Sequence, residues 1–123
     1  MLIAQFYTIL SKETTGELAW TVNVELNPNH GVYQGHFPGN PVLPGVCTMQ
    51  IIKECLEELT GNTLQYSQVN SCKYLSVINP SINPRLQLNL NIKELEDNQI
   101  QLLADGKTEE TDFIKLKATL ARK

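Results

Sequence analysis

Only two histidines occur among the 123 residues, and one of them opens an unusually stiff run. That run is His36-Phe37-Pro38-Gly39-Asn40-Pro41-Val42-Leu43-Pro44-Gly45-Val46, with three prolines at regular spacing and two glycines. Proline fixes φ near −65°, and glycine permits backbone shapes closed to other residues. An imidazole, with an ordinary pKa near 6.5, takes and returns protons at neutral pH. A stiff loop that carries one imidazole into the start of a helix aims that imidazole. It also brings the unsatisfied N–H groups and partial positive charge of a helix N-terminus close to a bound molecule. This reads as an active-site loop. The second histidine lies in Asn27-Pro28-Asn29-His30-Gly31, a polar turn, and reads as structural.

The elements around the loop follow from hydropathy period. From Gly45 to Thr60, apolar residues recur at Met49, Ile52, Leu56 and Leu59, with Cys55 beside them, which is helical spacing. Gly61-Asn62 supplies a stop, and Pro44 sits near the first turn, where its missing N–H costs little. Gln50, Glu54 and Glu57 lie on the opposite face, expected to be solvated. Elsewhere the period is two: Trp20, Val22, Val24, Leu26; Leu86, Leu88, Leu90, Ile92; Ile100, Leu102, Ala104; and Ile114, Leu116, Ala118, Leu120. Such alternation predicts half-buried antiparallel strands. Leu2 to Leu10 and Leu64 to Ile78 are weaker strand candidates. Turns are expected at Thr15-Gly16, Glu96-Asp97-Asn98, and Asp105-Gly106 through Glu110. The predicted class is α+β: two strands, the stiff loop, one long helix, then four strands, with a sheet of about six strands curled around the helix. No linker or repeat divides the chain, so residues 1–123 are expected to form a single domain.

Composition narrows the function. A hydrophobic fraction of 41%, a charged fraction of 19% and a net charge of −3 are ordinary for a globular protein and leave no basic patch for nucleic acid. Cys47, Cys55 and Cys72 are an odd number without metal-ligand spacing, which suggests reduced thiols and no metal site. The first residues lack the cationic start and unbroken apolar run of a signal peptide. No stretch approaches the roughly 20 apolar residues of a membrane span. A cytoplasmic location without membrane association is expected.

The segment Gly35 to Val46 closely resembles the signature of the β-hydroxyacyl-acyl-carrier-protein dehydratases of fatty-acid synthesis. Lys73-Tyr74-Leu75-Ser76-Val77-Ile78-Asn79-Pro80 is similar, more loosely, to that family's basic-aromatic strand and proline turn. The resemblance implies a hotdog fold, in which an antiparallel sheet wraps one long helix, and a dimer or higher oligomer with sheets joined edge to edge. It implies no metal or organic cofactor. The substrate would be a 3-hydroxyacyl thioester carried on the phosphopantetheine arm of acyl carrier protein. Dehydration removes a weakly acidic proton from C2 and expels the C3 oxygen as water, so it needs a base, an acid and donors to the thioester carbonyl. By resemblance His36 is the base and the Gly45 N–H faces the thioester carbonyl, with Phe37 and Val46 beside the substrate. Asn40, Val42 and Leu43 then belong to the loop and tunnel wall.

One departure bears directly on the chemistry. The family's acid stands fourteen residues after the histidine, as glutamate or aspartate, and here that position is Gln50. An amide donates and accepts hydrogen bonds but delivers no proton as a carboxylic acid does. In the glutamate branch a glutamine usually follows one turn later; this chain reverses the pair, with Glu54 four residues on and on the same helix face. Glu54 is therefore the candidate replacement acid, displaced by about 5–6 Å along the axis. Three readings follow. The favoured one is a dehydratase-like lyase with an altered acid. The second is a hotdog acyl thioesterase in which Gln50 and Glu54 act on a water. The third is a non-catalytic acyl-binding subunit that pairs with an active paralogue in a heterodimer. Lys53, Lys73 and Arg85 are candidates for contact with an acidic carrier.

Overall fold

The computed structural model describes residues 5–33 and 41–123. Strands β1 (Tyr7–Gly16) and β2 (Ala19–Leu26) come first, then a short 3-10 turn (Gly31–Tyr33) and helix α1 (Gly45–Thr60). Strands β3 (Leu64–Tyr74), β4 (Arg85–Glu94), β5 (Gln99–Lys107) and β6 (Asp112–Arg122) complete the order. The strands form one sheet of order β1-β2-β4-β5-β6-β3, and every neighbouring pair is antiparallel. This is the α+β hotdog arrangement expected from the sequence, six strands and one helix.

The alternating residues do what their period requires. Val22, Val24, Leu26, Leu86, Leu88, Leu90, Ile100, Leu102, Ile114, Leu116, Ala118 and Leu120 are all buried in one core with Ile51, Ile52, Cys55 and Leu56 of α1. Asp97 and Asn98 both take φ of 60°, the left-handed pair of a tight primed hairpin turn between β4 and β5. α1 stops where Gly61 adopts φ of 73° and donates its N–H to the Glu57 carbonyl at 2.8 Å.

Several boundaries and faces differ from expectation. β1 begins at Tyr7 and runs through the polar Ser11–Gly16. As an edge strand with one neighbour, it has no need of apolar alternation over its outer half. β3 ends at Tyr74, and the buried Ile78 beyond it serves another purpose, described below. Asp105-Gly106 is no turn: β5 runs on to Lys107, and the turn falls at Thr108–Thr111, where the Thr108 N–H reaches the Thr111 carbonyl at 2.9 Å. Gly106 is needed inside the strand because a Cβ there would stand 2.8 Å from the Phe113 ring. On α1 the buried set includes Cys47, Thr48, Ile51 and Glu54, whereas Met49 and Leu59 are only half-buried. The sheet curls around more than one side of the helix, so burial extends past a single apolar stripe. Val46 and Glu58 are the exposed positions on it.

Candidate active site

The described residues on both flanks of the His36 segment are well anchored. On its N-terminal side Tyr33 is buried and stacks on Phe6, with centroids 5.5 Å apart at 27°. On its C-terminal side Leu43 is buried and donates its N–H to the Ile78 carbonyl at 2.9 Å. His36 and Phe37, the expected base and its substrate-side neighbour, lie outside the described residues. So does residue 40.

α1 then starts without a side-chain cap, Pro44 standing at the N-cap with φ −65° and ψ 141°. The N–H groups of Cys47 and Thr48 turn back to the Pro44 carbonyl at 3.0 and 3.3 Å. Gly45 and Val46 carry the first two donors of the helix, for which an α-helix provides no internal acceptor. The Tyr74 ring lies directly over Gly45: a Cβ there would fall 2.5 Å from the ring and 2.6 Å from its hydroxyl oxygen. A side chain at position 45 would have to displace the partly exposed Tyr74 ring. Beside them opens a cleft of about 170 Å³ lined by Val42, Leu43, Gly45, Thr48, Tyr74 and Phe113 among others. Burial, aided by Cys72, pushes the Tyr74 hydroxyl up to about 12, so it remains a donor at neutral pH. Val46 is 76% exposed and does not line this cleft.

Further along α1, Gln50 and Glu54 are in contact. Gln50 Nε2 donates to Glu54 Oε2 at 2.8 Å, and the Tyr7 hydroxyl donates to Glu54 Oε1 at 3.0 Å. Glu54 is only 7% exposed, so each oxygen of a buried carboxyl has its own donor. Burial, Cys55 and the bond to Glu54 together raise the Tyr7 pKa well above the ordinary phenol value, which keeps its proton in place. Burial first, then Glu58, pushes the adjoining Cys55 thiol up to about 12, so it is no thiolate nucleophile. Glu57 accepts the Leu64 N–H at 2.8 Å, tying the end of α1 to β3. The expectation of a solvated face is thus corrected: β1 and β3 cover it, and its polar groups are paired inside the molecule. Nothing in the sequence links Tyr7 to Glu54, which are 47 positions apart.

The remaining candidates divide. His30 is structural, as expected: Nδ1 accepts the Val32 N–H at 3.1 Å, and the ring meets Phe6 edge-on. Arg85 pairs with Glu25 at 3.1 Å and Lys53 donates to the Leu64 carbonyl at 3.4 Å, while Lys73 is exposed. Among the described residues, no group of histidine, cysteine, aspartate or glutamate side chains is placed to hold a metal ion. No described helix is long and apolar enough to cross a membrane.

Among the described residues, one α-helix wrapped by this sheet defines a hotdog protein, with a cleft at the start of α1. A family profile described as ApeI-like, ApeI dehydratase, matches residues 11–112. The 3-hydroxyacyl-[acyl-carrier-protein] dehydratase FabZ of Lactobacillus helveticus is 30% identical over 122 positions, covering 89% of this chain and 80% of its own. FabZ of Latilactobacillus sakei is 34% identical over 76 positions, 56% of this chain and 53% of its own. Among solved structures, the dehydratase heterocomplex ApeI:P from Xenorhabdus doucetiae superposes with a TM-score of 0.78 at 22% identity, covering 94% of this chain and 97% of that one. A thioesterase of Haemophilus influenzae shares the fold more distantly, with a TM-score of 0.65 at 16% identity over 99% of this chain and 82% of that one. The chain belongs to the ApeI-like dehydratase family.

Proposed function

We propose that this chain is a 3-hydroxyacyl thioester hydro-lyase subunit, removing water from an acyl group borne on the phosphopantetheine arm of acyl carrier protein to give a trans-2-enoyl thioester. The observation that carries this reading is the arrangement along α1. A dehydratase-family chain presents the Gly45 amide at a cleft, and Gln50 stands five residues further on, about 7.5 Å along the axis. His36 takes the C2 proton. The Gly45 N–H, reinforced by the helix dipole, stabilises the negative charge that builds on the thioester carbonyl. The C3–O bond then breaks, the electron pair left at C2 forms the double bond, and the departing hydroxide takes a proton to leave as water.

The source of that last proton is where this chain differs from FabZ-like sequences. Gln50 holds no acidic proton, and Glu54 sits behind it with both oxygens accepting bonds. In a dimer where the histidine of one subunit faces the helix of the other, a homodimer of this chain pairs His36 with Gln50. A heterodimer with an acid-bearing paralogue pairs His36 with a carboxyl and completes one site. The heteromeric ApeI:P dehydratase supports this assembly by analogy. No metal or organic cofactor enters the reaction as written. The test is to incubate the chain alone, and with an acid-bearing paralogue, with 3-hydroxyacyl carrier. Water loss that is strong only in the mixture, and abolished by His36→Ala, fits the proposal. Release of free thiol in place of water would instead assign a hotdog thioesterase.

A further inference from the structure

Gln50 is held in one orientation. Its Nε2 is committed to Glu54 Oε2 at 2.8 Å, and Glu54 is itself fixed from behind by the Tyr7 hydroxyl at 3.0 Å. Both Glu54 oxygens accept, Oε1 from Tyr7 and Oε2 from Gln50, so a flipped Gln50, with its carbonyl turned inward, would put oxygen against oxygen. Tyr7 keeps its proton under burial and donates it to Glu54 Oε1. The amide end that remains turned away from Glu54 is the carbonyl oxygen, together with one N–H. The chain Tyr7–Glu54–Gln50 links β1 to α1, with Glu54 7% exposed and Gln50 at the open end.

We infer that Tyr7 and Glu54 are positioning residues that turn the Gln50 carbonyl outward, making position 50 a built acceptor for the C3 hydroxyl of a 3-hydroxyacyl thioester. The inference rests on the lyase reading for its ligand. The hydroxyl donates to Gln50 Oε1, no proton is transferred there, and the site grips the substrate alcohol where FabZ-like chains protonate it. In a heterodimer the two sites then differ: one protonates the leaving oxygen, while the one facing Gln50 retains the hydroxyacyl group. A 3-oxoacyl group brings only a carbonyl oxygen, which cannot donate to the Gln50 carbonyl and meets at best the one outward N–H, so it is held less well than the alcohol.

Two readouts on the full chain test this. The first is the Gln50 side-chain amide signal in ¹⁵N NMR. It is expected to be restrained and shifted downfield in the wild type, and to move toward a free amide in Tyr7→Phe and more so in Glu54→Gln. The second is binding of three pantetheine thioesters, 3-hydroxyacyl, 3-oxoacyl and saturated acyl. One net hydrogen bond corresponds to roughly a three- to tenfold preference for the 3-hydroxyacyl form over the saturated one. Gln50→Ala should abolish that preference. Glu54→Gln should shift it toward the 3-oxo form, because an amide at position 54 can accept from Tyr7 and donate to a flipped Gln50. A simple loss of packing weakens all three ligands alike and produces no such shift. A wild-type Gln50 amide at its free position, or equal binding of the three thioesters with a restrained amide, overturns the inference. Selective binding without turnover in any pairing would overturn the lyase reading and leave the acceptor standing.

Discussion

Gln50→Glu is the substitution whose outcome depends most on the arrangement of α1. It sets a second carboxyl where Gln50 now makes a 2.8 Å contact with Glu54. Two unit charges about 4 Å apart repel by about 4 kcal/mol at an effective dielectric of 20, so the pair relieves itself by holding one proton in common. Tyr7 continues to donate to the far oxygen of Glu54 at 3.0 Å. The shared proton therefore lies between Glu54 Oε2 and the new carboxyl, on the side away from Tyr7, and the new carboxyl is the group that passes it to a leaving hydroxide. Restoring a positioned acid is worth roughly 10²–10⁴ in rate. The assay is single-turnover dehydration of 3-hydroxyacyl carrier by the homodimer, followed by mass spectrometry of the carrier, with a thermal melt to establish folding. A folded Gln50→Glu protein with no gain on several acyl lengths would refute the reasoning, and position 50 would not be a missing acid.

Three further outcomes are expected. His36→Ala should lower dehydration by roughly 10²–10⁴ while the melting temperature stays near that of the parent; retained activity removes His36 from the chemistry. Gly45→Ala places a methyl group 2.5 Å from the Tyr74 ring and should cost about 1–3 kcal/mol in chemical denaturation, a loss that Tyr74→Ala in the same chain should partly relieve. Stability should also fall in alkali. The Cys55 thiol, raised from 9.0 to about 12, keeps its proton in the folded state where the unfolded chain has lost it. Its contribution is complete below about pH 9 and is lost as the pH rises toward about 12. Buried Tyr7 and Tyr66 shift in the same direction and add a loss that starts near 10. Melts from pH 7 to 11 should show the decline, and Cys55→Ala should reduce the part that begins near pH 9, to which buried Cys47 also contributes.

Much of the fold was legible because its signals are local. Gly61 marks the end of α1, and the inner residues of β2, β4, β5 and β6 alternate cleanly. What could not be read depends on partners distant in sequence. Glu54 looks solvated on a helical wheel, and it is buried because Tyr7 arrives from a strand 47 residues away. Asp105-Gly106 has the composition of a turn, yet Gly106 is required by the Phe113 ring crossing the strand. Tyr74 could be picked out only as part of the Lys73–Pro80 patch; that its ring rests on Gly45 follows from the curl of β3 toward the helix. Ser11–Gly16 carries no strand period because an edge strand tolerates polar residues on both faces.

The central claim is that this chain contributes to dehydration of a 3-hydroxyacyl thioester. Its most direct test is to mix the purified chain with 3-hydroxyacyl-loaded carrier, alone and together with an acid-bearing paralogue, and to follow the carrier by mass spectrometry. The account predicts a product lighter by one water, formed slowly or not at all by the chain alone and readily by the pair. A carrier that keeps its hydroxyacyl group in both cases, or that emerges as the free thiol, would contradict it.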